Sequence, residues 1–330
     1  MKKMTLIVLA LLSLIFISGC EKRDNNDDND DNDDKNVELL EDPIFATGFN
    51  LLGISPVEDG RTIKKHLDYG STALPSSRPI WYMAQWWTPY DVVDATYKEV
   101  NNVHIYETPS RILKMNPEDN GYLYMELFGS KEYENGPREL NEPWTHALIE
   151  QNFSESVGMS ELSSLILKME VTIHHVNNLM GSDYDPGKHA AQLLWYITLR
   201  NVVPEGSEDV GQNGDFLWFG IPIYDNRNDF IPHSAHIDQG AAGTTGKLIY
   251  SMSSKYYFDE KIQMNKTYNI EIDVLPYLKE AFIYAINNNA LVGARFENMQ
   301  IGYMNFGWEV PGTFDVASTI RGISIKAIRK

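Results

Sequence analysis

The sequence predicts an all-β fold in which two antiparallel sheets pack as a sandwich of the jelly-roll type, with one short helix. Apolar and polar side chains alternate along many segments, as in residues 192–200, where Leu193, Trp195 and Ile197 share one parity. Successive side chains of a strand point to opposite faces, so such a segment has one face suited to a core. Turns rich in Gly, Asn, Asp and Pro separate the segments, which is typical of sandwiches and barrels.

The same alternation recurs along the chain and defines the other elements. It predicts strands with an aliphatic inner face over residues 122–128, 165–174, 215–225 and 268–274, and a closing strand over residues 319–328. One helix is predicted over residues 275–287, because Leu278, Phe282 and Ile286 recur at helical spacing and an Asn run ends it. We find no internal repeat, so residues 43–330 are interpreted as a single β-sandwich domain.

The first residues have the features of a secretory signal peptide. Two lysines precede an apolar stretch over residues 6–17, which is too short and wrongly flanked for a bilayer-spanning helix. Ser18 and Gly19 then stand directly before Cys20, the only cysteine of the chain. This run resembles a lipobox, which implies cleavage after residue 19 and acyl chains such as palmitate on Cys20. The alternative is a signal peptide without lipidation that happens to contain a Cys.

Residues 20–42 are predicted to form a disordered tether. Positions 24–34 hold only Asp and Asn, so there is nothing apolar to bury and like charges repel. An Asp-rich run after a lipidated Cys resembles the surface-export signals of Bacteroidota lipoproteins, which implies the outer face of the outer membrane. A solvated spacer is the simpler interpretation, and the two are compatible.

Charge and composition exclude several classes of partner and cofactor. The formal net charge is −18, so the chain will not bind nucleic acid through a general basic field. The sequence contains no P-loop, no dinucleotide fingerprint and no nucleophile elbow, and we therefore expect no cofactor. Residues 183–187 (DYDPG) fit either a structural Ca²⁺ site or a simple turn.

Several outward faces carry aromatic rings interleaved with hydrogen-bonding groups. Flat rings stack on the C–H faces of sugars, while amides and carboxylates bind the hydroxyl groups, so we expect a glycan groove on one concave sheet. The predicted substrate-binding residues are Trp86, Tyr124, Arg138, Gln192, Tyr196, Trp218 and Tyr224. The alternative is that long loops cover these rings and make them a secondary core.

Three glutamates could supply the two carboxylates that glycosidases place on either side of the scissile bond. Glu150 and Glu309 form the best candidate pair, Glu126 is a further candidate, and His146 could act as a general base instead. The sequence lacks the E-x-D-x-x-E pattern of several jelly-roll glycosidases. The motif evidence alone therefore does not separate binding from cleavage.

The segments EPWTHALIEQNF, DFLWFGIPIYDNR, TGKLIYS and IGYMNFGWEVPGTFD together resemble surface lipoproteins of glycan-degrading Bacteroidota. That resemblance implies a concanavalin A-like jelly roll, a cell-surface location and a role in polysaccharide utilisation. A surface lipoprotein that binds and hydrolyses a polysaccharide is one hypothesis. A second is a non-catalytic glycan-binding lipoprotein that passes its ligand to enzymes or to an outer-membrane transporter, and a third is a structural surface protein.

Overall fold

The computed structural model of the protein describes residues 36–70, 79–208, 210–239 and 243–330. The expected signal peptide (1–19), the lipidation residue Cys20 and residues 21–35 of the expected tether lie outside the described residues. Within the described ranges, no helix is both long and apolar enough to cross a bilayer.

The described chain is mostly β-strand. Its strands are β1 (Asn36–Glu38), β2 (Phe49–Leu52), β3 (Ile63–Leu67), β4 (Trp81–Ala84), β5 (Thr96–Val100), β6 (Val103–Glu107), β7 (Arg111–Asn116), β8 (Tyr122–Phe128), β9 (Thr145–Gly158), β10 (Leu162–Asn178), β11 (Gln192–Asn201), β12 (Phe216–Asp225), β13 (Ser234–Ile237), β14 (Leu248–Ser251), β15 (Thr267–Asp273), β16 (Met299–Val310) and β17 (Phe314–Arg329). Its α-helices are α1 (Gly129–Glu132) and α2 (Leu275–Asn287).

The strands form two sheets, as predicted. An eight-stranded sheet has the order β15-β10-β17-β8-β7-β6-β5, with β1 added beside β17. A nine-stranded sheet has the order β13-β14-β12-β11-β16-β9-β4-β2-β3. Neighbours run mostly antiparallel, with parallel pairing of β2 with β4 and of β12 with β14. The prediction of an all-β, two-sheet jelly-roll sandwich is confirmed.

The core lies between the inner faces of the two sheets. Trp195 of β11 and Phe306 and Trp308 of β16 are fully buried on one side, and Leu167 of β10 and Ile325 of β17 are fully buried on the other. These residues belong to the alternating apolar positions from which the inner faces were predicted. The prediction of inner faces is therefore confirmed for these strands. The alternate side chains of the nine-stranded sheet, which point away from this core, consequently form the outer face of that sheet.

The helix is also confirmed. Helix α2 spans Leu275–Asn287 and has Pro276 in its first turn, where a missing backbone N–H costs little. Leu278, Ala281 and Ala285 are fully buried at helical spacing, which fixes the helix against the core. The one-turn helix α1 was not predicted, because four residues show no measurable periodicity.

The folded domain begins earlier than residue 43. Strand β1 (Asn36–Glu38) pairs antiparallel with the end of β17, and Glu38 accepts a hydrogen bond from the backbone N–H of Ile325. Leu39 and Leu40 are each only 3% exposed and belong to the core. Residues 36–42 are therefore not tether, because two adjacent leucines and a short strand give them enough apolar area and backbone pairing to fold.

Candidate functional site

A groove of about 480 Å³ lies on the outer face of the nine-stranded sheet. Strands β9, β16, β11, β12 and β14 form its floor, and the loops that follow β2 and β13 form its sides. We call this surface the groove; the lining residues used below are Pro56, Arg61, Trp86, Trp144, His146, Gln192, Tyr196, Trp218, Gly243, Thr245, Tyr303, Asn305 and Glu309.

The register of the strands arranges the groove floor in rows that cross the sheet. The rows are His146–Glu309–Gln192, Leu148–Gly307–Leu194 and Glu150–Asn305–Tyr196. Rows are two residues apart on each strand, which is about 6.6 Å. An apolar row with a glycine at its centre thus separates two polar rows.

Glycine is needed at position 307 in that central row. Its φ is +154°, and a β-carbon there would overlap the backbone carbonyl of Ala147. The strands can approach closely at this point only because residue 307 has no side chain. Any other residue at position 307 would push β16 away from β9 at this point of the groove floor.

Aromatic rings crowd the end of the groove that is nearest to β12. The ring of Trp218 lies 6.0 Å from Tyr196 and 5.8 Å from Tyr303, centroid to centroid, with both pairs edge-to-face. The ring of Tyr196 passes directly above Gly220, where a β-carbon would come within 2.8 Å of the ring. Nε1 of Trp218 donates to Oγ1 of Thr245, which fixes the indole orientation.

Two further tryptophans hold His146 at the other end. The ring centroids of Trp86 and Trp144 each lie 5.5 Å from the imidazole, which is only 8% exposed. The backbone carbonyl of His146 accepts from Nη1 of Arg111, a buried guanidinium that also donates to Oε1 of Glu132. The eight-stranded sheet, which contributes Arg111, thus helps to fix the position of His146.

Glu309 lies at the base of this aromatic pair. Its Oε2 accepts from Nε1 of Trp144 at 3.1 Å and lies 3.5 Å from Nε2 of His146. Burial alone would raise the pKa of Glu309, but the contacts with His146 and Trp144 outweigh burial and lower that pKa below its usual value. Its side chain is still 20% exposed, so a ligand in the groove can reach an ionised carboxylate.

Glu150 is in the opposite electrostatic situation. Its side chain is 1% exposed, and burial raises its pKa above the usual value, although Arg61 opposes that rise. Nη1 of Arg61 donates to Oε2 of Glu150 at 2.5 Å, and the guanidinium also lies 5.8 Å from the ring of Trp86. Two neighbouring carboxyl groups thus have pKa values shifted in opposite directions, with Glu309 lining the groove and Glu150 buried beside it.

Two nitrogen atoms in the groove are buried without a partner. Among the residues that the structure describes, Nε1 of Trp86 and Nδ1 of His146 find no hydrogen-bond partner. Buried polar groups nearly always have one, so each of these atoms leaves a hydrogen-bonding capacity unused within the described residues. The groove therefore offers apolar rings beside unused hydrogen-bonding groups.

The structure brings together most of the predicted site residues. Trp86, His146, Gln192, Tyr196, Trp218 and Glu309 line the groove, and Glu150 lies in its third row. The amide of Gln192 donates to Oδ2 of Asp225, which orients it along the first row.

Tyr124 and Glu126 were expected near the other site residues, but they belong to the eight-stranded sheet. There Lys114 covers the ring of Tyr124 at 4.2 Å, and the phenol donates to Glu126 at 2.8 Å. Glu126 also lies 3.6 Å from Nε2 of His175. Both residues do point outward, but from the other side of the sandwich, so the prediction that they share the groove is wrong.

Tyr224 and Arg138 are also outside the groove. A register shift beside Leu193 and Leu194 turns Tyr224 toward the core, where its ring lies 6.2 Å from Trp308. Arg138 donates to two backbone carbonyl oxygens, those of Glu142 at 2.6 Å and Lys188 at 3.1 Å, and its guanidinium lies 5.0 Å from the Trp144 ring. Arg138 therefore supports Trp144 and does not itself face the groove.

Sequence reasoning missed several lining residues. Arg61, Trp144 and the Asp238–Thr245 pair come from loops, where no alternation shows which way a side chain points. A signal existed for Trp144, since it is part of the segment EPWTHALIEQNF together with His146 and Glu150. For Arg61 we find no sequence signal.

The segment considered for calcium behaves as a turn. Oδ1 of Asp185 accepts from the backbone N–H of Gly187 at 2.8 Å. Across the described ranges, no group of three or more His, Cys, Asp or Glu side chains is placed to hold a metal ion.

Comparison with known proteins finds similarity at the level of solved structures. No protein-family model and no curated protein matches the sequence. A cellulase derived from the Cel12A enzyme of Rhodothermus marinus is 8% identical with a TM-score of 0.40, and the match covers 75% of this chain and 99% of that one. The xyloglucanase domain of a Sinorhizobium fredii effector, in complex with cellobiose, is 11% identical with a TM-score of 0.35, over 71% of this chain and 96% of that one. Endoglucanase 3 of Trichoderma harzianum is 11% identical with a TM-score of 0.33, over 77% of this chain and all of that one.

Proposed function

We propose that the protein is a surface lipoprotein that binds a polysaccharide in the groove and hydrolyses it. The single observation that supports this most is the pair of carboxyl groups with opposite pKa shifts at one aromatic-lined groove: Glu309, lowered, lines it, and Glu150, raised, lies buried beside the lining residue Asn305. Two titratable groups pushed apart in this way are suited to act as acid and base in one reaction.

In the proposed reaction Glu150 is the general acid. Burial shifts its pKa upward and so favours the protonated form once the counter-charge of Arg61 has moved away, and that proton passes to the glycosidic oxygen as the bond to the anomeric carbon breaks. Arg61 must swing away from Glu150 as the sugar enters, and its 66% exposed side chain is free to do so.

Glu309 is the proposed general base. It takes a proton from a water molecule that attacks the anomeric carbon, while His146 and Trp144 keep the carboxylate ionised. Its partner in register is His146, four residues from Glu150 on β9, which places the α-carbons about 13 Å apart along the strand. The two glutamates thus come from the two polar rows, and a sugar lying over the apolar row between them would have one on each side.

The rings and amides of the groove are the proposed binding surface. Trp218, Tyr196 and Trp86 would stack on the C–H faces of sugar rings, and Gln192 and Asn305 would bind hydroxyl groups. Arg61 is already neutralised by Glu150, and the whole chain carries a net charge of −18. These charges favour a neutral polysaccharide over an anionic one.

One observation favours a second candidate function, glycan binding without cleavage. Glu150 is almost completely buried, and the guanidinium of Arg61 occupies its open side. If Arg61 stays in place when the sugar binds, no proton donor is available. The protein would then hold a glycan for an outer-membrane transporter or for separate enzymes.

One experiment separates these functions. The purified protein is incubated with soluble neutral polysaccharides (mixed-linkage β-glucan, xylan and mannan), and both new reducing ends and retardation in polysaccharide gels are measured. Cleavage that Glu309→Gln abolishes without loss of retardation supports hydrolysis. Retardation alone in the wild type supports the binding function, and neither signal across the panel would overturn both.

The proposed location rests on the N-terminal sequence. Lipidation of Cys20 would anchor the chain in the outer membrane, and the acidic residues 24–34 would extend the domain outward. Cys20→Ser should release the protein from the membrane fraction, and protease added to intact cells should digest the wild-type domain. A wild-type protein that resists protease until the cells are lysed would contradict the surface location.

A further inference from the structure

A second cavity, of about 500 Å³, lies at the end of strand β12. Its walls come from the turn after β12, residues 226–231, and from the segment between β14 and β15, residues 254–262. Ligand pockets in proteins have volumes of about 300–1,000 Å³, so this cavity is large enough for a small ligand. We call it the side cavity, since it shares no lining residue with the groove.

A row of side chains connects the side cavity with the groove. Glu309, Gln192 and Asp225 are partners in register on the adjacent strands β16, β11 and β12. Nε2 of Gln192, which lines the groove, donates to Oδ2 of Asp225, which lines the side cavity, at 2.9 Å. Because the two side chains are bonded to each other, both lie on the outer face of the sheet. The side cavity is therefore next to the first polar row of the groove.

Hydrogen bonds hold the walls of the side cavity in place. The backbone N–H of Ile231 donates to Oγ of Ser254 at 2.8 Å, and the backbone N–H of Ser254 donates to the carbonyl of Ile231 at 3.0 Å. The hydroxyl of Tyr257 donates to the carbonyl of Pro222 at 2.6 Å, which ties the second segment to β12. The side cavity is thus formed before a ligand binds, and binding does not have to order its walls.

The charges of the side cavity cancel in pairs. Nη2 of Arg227 donates to Oδ2 of Asp225 at 2.5 Å, and Asp225 is only 3% exposed. Nζ of Lys261 lies 3.8 Å from Oδ1 of Asp229, and both of these side chains are exposed. A charged ligand would therefore find no net counter-charge here, whereas an uncharged polar ligand finds several donors and acceptors.

An amide and an apolar wall complete the side cavity. Asn228 is an exposed lining residue, and Phe258 and Ile262 provide apolar surface, with Phe258 only 6% exposed. Amides bind hydroxyl groups, and apolar rings pack on C–H faces. A neutral sugar offers this combination of hydroxyl groups and C–H faces.

We propose that the side cavity receives a neutral sugar branch of the polysaccharide whose main chain lies in the groove. This inference rests on the proposed function of the groove and deepens it, because it makes branched polymers the preferred substrates. One strand spacing, about 5 Å, separates Gln192 from Asp225. A short branch on a sugar bound at Gln192 therefore reaches the side cavity.

Removing the branches from a polysaccharide tests the proposal. The full chain is incubated with galactomannan and with arabinoxylan, each before and after partial removal of its branches by an α-galactosidase or an α-arabinofuranosidase. The initial rate of reducing-end release is compared at equal main-chain concentration. We expect debranching to lower the rate on at least one of the two polymers. A rate that stays equal or rises on both polymers would overturn the proposal.

Variants of the side cavity show whether its residues cause the preference. Asn228→Ala combined with Lys261→Ala should lower the ratio of the rates before and after debranching about two- to tenfold, as expected for the loss of one or two hydrogen bonds. Asn228→Trp, which fills the cavity, should lower the same ratio. Lys279→Ala, at an exposed lysine of helix α2, is the matched control and should leave it unchanged. An unchanged ratio in both cavity variants, each with wild-type circular dichroism, would count decisively against the side cavity.

Retardation in polysaccharide gels distinguishes failure of this inference from failure of the proposed function. If neither polymer is cleaved, retardation is compared before and after debranching. Stronger retardation by a branched polymer supports the proposal, and equal or weaker retardation by both overturns it. Absence of retardation by every glycan would instead overturn the proposed function of the groove, and the branch proposal with it.

Discussion

Replacing Arg61 with Met should make stability depend on pH, because it leaves the carboxyl group of Glu150 without its counter-charge. Nη1 of Arg61 lies 2.5 Å from Oε2 of Glu150, whose side chain is 1% exposed, whereas the Arg61 side chain is 66% exposed. Breaking a fully buried pair costs about 3–5 kcal/mol, and breaking an exposed pair costs about 0–1 kcal/mol. Since one partner is in water, we expect a loss of about 1–3 kcal/mol at neutral pH.

This loss should disappear as the pH falls. Burial raises the pKa of Glu150 in the folded protein, and Arg61 limits that rise. Without Arg61 the folded pKa moves higher still, and a carboxyl group with a raised folded pKa costs stability as the pH rises through that pKa. The variant should therefore match the wild type below about pH 4, where Glu150 is protonated, and fall behind it toward neutral pH.

Thermal unfolding followed by circular dichroism between acidic and neutral pH measures the effect. A change of 1 kcal/mol shifts Tm by about 2–4 °C for a domain of this size, so the gap at neutral pH should be about 2–12 °C. Arg61→Lys keeps the charge and should lose less. Arg321→Met, which breaks a pair with the 47% exposed Asp119, is the matched control and should show no comparable loss at neutral pH.

A double variant completes the test. Arg61→Met combined with Glu150→Gln removes the unpaired charge, so its stability at neutral pH should exceed that of Arg61→Met alone. A loss that is equal at acidic and neutral pH, or that persists in the double variant, would refute the electrostatic account of this pair.

Three further predictions concern other parts of the molecule. Glu309→Gln should lower kcat on the cleaved polysaccharide about 10²–10⁴-fold, since it removes the proposed base; retained activity would disprove that role. Trp218→Ala should weaken polysaccharide binding, measured by gel retardation, by about 0.5–1.5 kcal/mol of binding free energy, whereas Tyr124→Ala on the other sheet should have no effect. Leu40→Ala should lower the free energy of unfolding in urea by about 2–5 kcal/mol, because Leu40 is a core residue of the segment before position 43; a loss below about 0.5 kcal/mol would place it outside the core.

The inner faces of the strands could be predicted from the sequence because they depend on local alternation. In β11, Leu193, Trp195 and Ile197 are fully buried, and the intervening Gln192 and Tyr196 face the groove. A period of two residues survives wherever a strand is regular, so both the core and the composition of the outer faces follow from it.

Alternation does not tell which sheet a strand joins. Tyr124 and Tyr196 are both outward-facing aromatic residues, yet β8 and β11 lie in different sheets, so their side chains point away from one another. Long-range pairing, such as that of β8 with β17, decides which sheet a strand joins. The sequence of one strand does not show which strand it will pair with.

A bulge also breaks the alternation without a sequence signal. In β12 the pairing moves from Leu193 opposite Tyr224 to Leu194 opposite Pro222, so one residue is left over and Tyr224 changes sides. Counting in steps of two from Trp218 therefore places Tyr224 on the wrong face.

The distinction between the two groove carboxyl groups arises from neighbours that are distant in sequence. In the sequence, Glu150 and Glu309 are two similar strand glutamates. In the structure, Glu150 is sealed beneath Arg61 from the β2–β3 loop, while Glu309 lies against His146 and Trp144 at the start of β9. Burial dominates in the first case and direct contacts dominate in the second, so one pKa rises and the other falls. The proposed division into acid and base is therefore a property of the fold. Without these neighbouring side chains, the pKa values of the two glutamates would not be distinguished.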